Sequence, residues 1–167
     1  MAVDEISISR LNELHPSVRD SAIRAYTKAC KITPVGVHPF ITETYRSFER
    51  SDKLYNQPWD GKDNDGDGKI DEADEKVSNA KGGQSIHNYS MALDYVLQIN
   101  GKMSWVVDDN WIKVAKCFEE EGWSWGGRWK NFKDYPHCEK TLGNSLKQIQ
   151  AKYKAKDFIP GTNFINI

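Results

Sequence analysis

The sequence predicts an α+β domain in which a small antiparallel sheet is flanked by helices, and three observations lead there. Apolar residues return at helical spacing after Pro16, where Val18, Ala22, Ile23, Ala25, Tyr26 and Ala29 share one face. Residues 40 to 45 and 91 to 99 are instead β-branched and aromatic, and the second run is followed by Asn100-Gly101, the strongest short hairpin-turn signal in the chain. No strand-helix-strand unit repeats, so nothing asks for a parallel sheet. With 167 residues, a single domain spanning residues 1 to 167 buries about two-thirds of its unfolded surface and needs no disulfide or metal merely to hold together.

In chain order, residues 6 to 16 read as an irregular lead-in. A helix follows from Pro16 until Pro34 and Gly36 end it. The strand over 40 to 45 delivers Arg46 at its end, and Ser47 caps a helix reaching Gln57. Residues 58 to 82 change character: Gly, Asp and Lys dominate, and Trp59, Ile70 and Val77 are nearly the only apolar residues, which marks an inserted loop. Beyond it lie the buried strand over 91 to 99 and an antiparallel return over 103 to 107. Asp108 or Asp109 then caps an amphipathic helix with Trp111, Ile112, Val114, Ala115 and Phe118 inward, ended by Gly122. Trp123 to Trp129 is too glycine-rich and aromatic for a helix and is expected to shape a groove wall. A short strand over 135 to 139 carries His137, and residues 141 to 167 supply a closing helix, Ser145 to Lys154, with an apolar-tipped tail.

Basic and acidic residues nearly cancel, 23 against 24 for a net charge of −1, so neither nucleic acid nor a membrane surface is an expected partner. Cys30, Cys117 and Cys138 are odd in number and form no metal-type pair, which suits reduced thiols, with Cys117 and Cys138 in the core. Met1 to Glu5 lacks the basic-then-apolar pattern of a secretory signal, and no run nears the ~18 apolar residues of a spanning helix. The expectation is a soluble monomer made in the cytoplasm.

Chemistry concentrates in two separate stretches, residues 83 to 94 and 134 to 137. His87, Asp94 and His137 supply three N/O donors, a set that in a zinc site leaves the fourth tetrahedral position open for water. Asp134, three residues before His137, is placed to take a proton from that water, and Arg46 is a candidate to stabilise the oxyanion of amide hydrolysis. Spacing alone leaves other readings open: His87 as a loop histidine bonded to backbone, Asp94 as a strand-end carboxylate paired with lysine, Asp134 as a turn former before Pro136. An aspartate within the apolar run Met91 to Leu97 weighs toward a metal, because a buried carboxylate requires a partner.

These residues also carry a family resemblance. Ser85-Ile86-His87 followed by Ala92-Leu93-Asp94 resembles the SxHxxGxAxD signature of the zinc peptidoglycan peptidases that include D-Ala-D-Ala carboxypeptidases and phage L-alanyl-D-glutamate endolysins. Trp125-Gly126-Gly127-Arg128-Trp129, Phe132 and Asp134-Tyr135-Pro136-His137 are similar to the segment of the endolysin-like branch, and Tyr45-Arg46-Ser47 to the family's arginine motif. The likeness runs over roughly residues 10 to 140. It implies a hedgehog/DD-peptidase-like fold, zinc on His87, Asp94 and His137, Asp134 as general base, Arg46 as carbonyl or oxyanion clamp, and Ser85, Trp125 and Trp129 against substrate. Ser90 stands where the family usually has glycine, and the base is aspartate where the carboxypeptidase branch often has glutamate.

The insertion has its own pattern. Asp63, Asp65, Asp67 and Asp71 fall at positions 1, 3, 5 and 9 of a calcium-loop template, Gly68 at 6, Lys69 with its carbonyl at 7, Ile70 at 8, and Asp74 where glutamate is usual. Calcium is therefore expected there, with Trp59 packing the loop onto the domain and the ordered loop supporting Arg46 and His87.

The expected function is zinc-dependent hydrolysis of peptidoglycan stem peptides, at the L-Ala-D-Glu bond, after release of the enzyme to the cell wall. A D-Ala-D-Ala carboxypeptidase is the enzyme alternative. A non-catalytic, metal-stabilised cell-wall binding module is the alternative of another class, although structural zinc usually closes all four positions with protein ligands. Glu119, Glu120 and Glu121 are the fallback bases, and as a run at a helix end they read as a solvated face.

Overall fold

The chain opens on a helix where an irregular lead-in was expected. In the computed structural model, which describes residues 3 to 167, helix α1 spans Glu5–Leu11. Met1 and Ala2, the start of the stretch read for a secretory signal, lie outside the described residues. Asp4 caps α1 by accepting from the Ser7 amide at 2.6 Å, and a helix of this length is too short to show a full periodic pattern. Its stability comes from docking: Ser7 is fully buried and its hydroxyl accepts from the Ile41 amide at 3.0 Å.

The other elements follow the expected order. Helix α2 is Pro16–Ile32, started by a proline that needs no helical donor. Strand β1 is Val37–Glu43, and helix α3 is Phe48–Asn56, capped by Ser47 on the Arg50 amide. Strand β2 is Ala92–Ile99 and β3 is Lys102–Ser104, joined through Asn100 and Gly101, both at positive φ as a tight hairpin turn requires. Helix α4 is Asp109–Glu120, with Asp108 accepting from the amides of Asn110 and Trp111. The aromatic, glycine-rich stretch contains a two-residue strand, β4, Ser124–Trp125, and one 3-10 turn over Gly126–Arg128. Strand β5 is His137–Glu139, and helix α5 is Leu146–Lys154.

The sheet has five strands in the order β1-β2-β5-β4, with β3 also on β2, and every pairing is antiparallel. One edge of β2 is taken by β1. On the other, β5 pairs with Ala92, Leu93 and Asp94, and β3 with Leu97, Gln98 and Ile99. Side chains alternate along β2, so Leu93, Tyr95 and Leu97, all fully buried, face the helices while Asp94 emerges on the other side. Tyr95 meets Trp111 and Phe118 of α4 at ring distances of 5.0 and 6.0 Å, and its hydroxyl donates to the Trp111 carbonyl at 3.1 Å. Cys30, Cys117 and Cys138 are all buried and free.

Residues 58 to 82 hold no strand and only two single 3-10 turns, Gln57–Trp59 at their start and Ala73–Glu75. Trp59 is not buried between loop and domain: it is 64% exposed, with its ring tilted against Tyr55. Ile70 is 60% exposed as well. Among the described residues no helix is long and apolar enough to cross a membrane. Trp111 is the largest fully buried side chain. Trp111→Ala is expected to cost about 3–5 kcal/mol, read as a lowered urea midpoint without a change of slope.

Candidate active site

Three elements deliver the candidate metal ligands. Asp94 comes from β2, and the β2–β5 register sets His137 directly across from it. His87 sits in a 3-10 turn, Ile86–Tyr89, capped by Ser85, whose side chain accepts from the His87 amide at 3.3 Å. The turn ends at Ser90 in the left-handed region, φ 58°, the backbone for which glycine is the usual choice. The serine therefore keeps the glycine geometry with some strain.

His87 Nε2 and His137 Nδ1 are 3.1 Å apart, and each is 3.2 Å from Asp94 Oδ1. A tetrahedral zinc with bonds of ~2.0–2.2 Å separates its ligand atoms by roughly 3.3–3.6 Å, so this triangle fits zinc after a slight opening. The outer ring nitrogens define the tautomers. The Thr44 carbonyl can only accept, so His87 Nδ1 donates to it at 2.8 Å, leaving Nε2 for the metal. His137 Nε2 donates to Glu139 at 3.2 Å, leaving Nδ1. Such outer partners fix ring orientation and ligand basicity.

Burial favours the neutral form of Asp94, yet the two imidazoles beside it hold its carboxyl far below the usual carboxylate range. Burial likewise favours neutral His137, but Asp94 and Glu139 push it up to about 9. Asp134 is raised by burial, against the pull of His137.

These groups open on a groove of about 880 Å³ that also receives Arg46, Ser85, Trp129, Phe132 and Asp134. Trp129 lies 5.3 Å from the His137 ring and lines the groove. Trp125 does not. It is 4% exposed, and its indole donates to the Tyr135 carbonyl at 2.7 Å, so it supports the Asp134–His137 segment from behind. Trp111 donates to the same carbonyl at 3.1 Å. Gly126 presses on this segment too: a Cβ there would lie 2.4 Å from the Asp134 carbonyl oxygen. Glu119, Glu120 and Glu121 lie outside the site, paired with Arg128, Lys28 and Arg24.

Residues 87, 94, 134 and 137 were legible from residue type and motif. Glu139 was missed, although a carboxylate two positions after a strand histidine shares its face and is a readable signal. The Thr44 carbonyl left none, since backbone acceptors carry no residue identity.

The acidic loop gathers only part of its template. Carboxylates of Asp63, Asp65 and Asp67 have oxygens within 4.8 Å of one another, a donor set suited to a hard cation. Asp71 departs from the expectation: at φ 58° it turns away and accepts from the Gly61 amide at 2.8 Å. Asp74 is not in the cluster either, and the Lys69 ammonium bonds Asp67 and Glu72 at 3.1 and 3.2 Å. Glu75, outside the template and 3% exposed, closes the loop by accepting from the amides of Asn64 and Glu72.

The chain is similar to proteins of known activity. The family described as D-alanyl-D-alanine carboxypeptidase matches residues 78–140. The chain is 35% identical over 137 residues to the peptidoglycan L-alanyl-D-glutamate endopeptidase CwlK of Bacillus subtilis, covering 77% of this chain and 74% of that protein. The crystal structure of the Serratia marcescens L-Ala D-Glu endopeptidase ChiX shares the fold, with a TM-score of 0.56, 24% identity, and coverage of 83% of this chain and 88% of that one. Gly126→Ala is expected to force Asp134 aside at a cost of about 1–3 kcal/mol, measured by denaturant unfolding, while bound zinc stays stoichiometric.

Proposed function

The chain belongs to the peptidoglycan peptidase family that holds D-alanyl-D-alanine carboxypeptidases and the L-alanyl-D-glutamate endopeptidase CwlK, and on that premise we propose that it is a zinc peptidase cutting the L-Ala-D-Glu bond of peptidoglycan stem peptides. The observation that carries the reading is the meeting of His87, Asp94 and His137 donors within 3.2 Å in a groove shared with Asp134 and Arg46. In this reading the enzyme is a monomer that acts on the cell wall after release. Residues 1 to 167 then form one peptidase domain, with 58 to 82 inserted and 141 to 167 closing it.

Zinc on His87, Asp94 and His137 would polarise the scissile carbonyl and lower the pKa of water to about 7. Asp134 takes the proton from the attacking water and returns it to the leaving amine, a role for which burial has raised its affinity for a proton. Arg46 stabilises the negative charge that develops on the carbonyl oxygen. Trp129 and Ser85 line the path of the peptide. A D-Ala-D-Ala carboxypeptidase has the matching family description in its favour, but it must grip a terminal carboxylate.

The finer metal assignment is calcium in the inserted loop. Asp63, Asp65 and Asp67 would be its first ligands, and Lys69, Asp71 and Asp74 would have to turn inward to complete the set.

Mass spectrometry of digested muropeptides tests the bond: fragments ending in L-alanine are expected, and release of free D-alanine alone would support the carboxypeptidase. Asp134→Ala is expected to keep fold and zinc while hydrolysis falls by about 10²- to 10⁴-fold, and retained hydrolysis would remove Asp134 from the mechanism. Removing calcium with zinc retained is expected to lower the melting temperature, and an unchanged melting curve and rate would end the calcium assignment.

A further inference from the structure

Glu43 is an acidic group beside the zinc ligands to which the chemistry above gives no task. Strands β1 and β2 pair regularly as far as Ile41 opposite Tyr95, where the register shifts, so that Glu43 instead of Thr42 stands opposite Asp94. A bulge of this kind re-aims the strand's side chains. Here it sets two carboxylates directly across from each other, an arrangement that like-charge repulsion opposes unless a cation lies between them.

Arg46 is that cation. Its Nε donates to Glu43 Oε2 at 2.8 Å, and its Nη2 bonds the same oxygen. The same Nη2 lies 3.6 Å from Asp94 Oδ2, whereas Asp94 Oδ1 is the atom that faces the imidazoles. The other Glu43 oxygen accepts from Arg50 Nε at 3.0 Å. Side chains of Arg46 and Glu43 are only 13% and 17% exposed, so solvent screens the pair weakly. The arginine backbone is pinned as well, its amide donating to the His87 carbonyl at 3.2 Å and its carbonyl accepting from Asn88 Nδ2 at 2.8 Å. The guanidinium can therefore swing, but the residue cannot leave.

We propose that Glu43 is a positioning residue that grips Arg46 by its Nε–Nη2 edge, keeps it from closing onto Asp94, and so preserves both the zinc-binding carboxylate and the arginine's approach to the substrate carbonyl. This inference rests on the zinc-peptidase reading. With the Glu43 charge removed, the nearest remaining anion for Arg46 is Asp94, and a guanidinium seated there competes with zinc for the same carboxylate.

A double-mutant cycle read by zinc affinity separates this from a merely structural role. Zinc dissociation constants would be measured by competition with a chromophoric chelator for the native protein, Glu43→Gln, Arg46→Met and the double variant, alongside kcat and KM of the zinc-loaded forms. Glu43→Gln is expected to weaken zinc about 10-fold and to lower kcat by a similar factor with a smaller change in KM. Arg46→Met should hold zinc within about 2-fold of native, and the double variant should return to the Arg46→Met value because the competitor is gone. If Glu43→Gln does not fold, Glu43→Asp, which keeps the charge on a shorter arm, carries the test and should fall between. Native zinc affinity in the folded Glu43 variant, or a double variant as weak as Glu43→Gln, would overturn the inference. A native chain without zinc affinity would overturn the zinc-peptidase reading beneath it.

Discussion

The register of β2 between its two neighbours is the constraint on which the site depends. Asp94 pairs with His137 on one side and Glu43 on the other, so a single residue of that strand is flanked by a histidine of the candidate metal site and by the carboxylate that engages Arg46. Because side chains alternate, a slip of one position would send Asp94 into the core and bring Leu93 or Tyr95 into the groove. The aromatic packing of Tyr95 against Trp111 and Phe118 therefore does more than stabilise the sheet. By anchoring the core face of β2, it defines which residue joins His87 and His137.

Around that register the site is built largely from backbone contacts. The Thr44 carbonyl orients His87, and the Asn88 carboxamide joins the Gly83 amide, the Arg46 carbonyl and the Ser51 hydroxyl at 2.8 to 2.9 Å. Two indoles donate to the Tyr135 carbonyl, filling both lone pairs of that oxygen in the stretch from Asp134 to His137. Buried donors left without acceptors would cost far more than each bond contributes, so these networks hold the loops rigidly without an extended sheet behind them.

The elements legible in the sequence were those with a local cause. Asp108 and Ser145 announce helices, Asn100-Gly101 a hairpin, and the apolar run before it a strand. The clustering of His87, Asp94 and His137 could be anticipated because an aspartate in an apolar run requires a partner. What escaped notice depends on tertiary context. Helix α1 is short and is held by Ser7 on β1, not by its own periodicity. Trp125 looks like a groove wall by composition, yet the pairing of β4 with β5 turns it inward. The bulge after Ile41 has no glycine to mark it, and without it the place of Glu43 could not be foreseen. In the acidic loop, spacing identifies positions but not where Asp71 points, because a left-handed residue reverses that expectation.

The two ends of the acidic insertion meet on one helix. Asn64 Nδ2 donates to the Gln57 carbonyl at 3.1 Å just past the end of α3, while the Gly82 amide bonds Asp52 of α3 at 2.9 Å and the Lys81 ammonium sits over the Tyr55 ring at 5.0 Å. The chain thus leaves and re-enters the domain through one narrow mouth. Closing a flexible loop costs only about 0.6 kcal/mol more for each doubling of its length, so the outer turn between Lys62 and Lys76 can vary in length at little cost. The returning end of the insertion is constrained differently, because Val77, Ser78, Asn79 and Ala80 line the groove together with His87 and Asp94. The acidic segment thus has two parts, an outer turn whose length is weakly constrained and a returning edge that forms one bank of the groove.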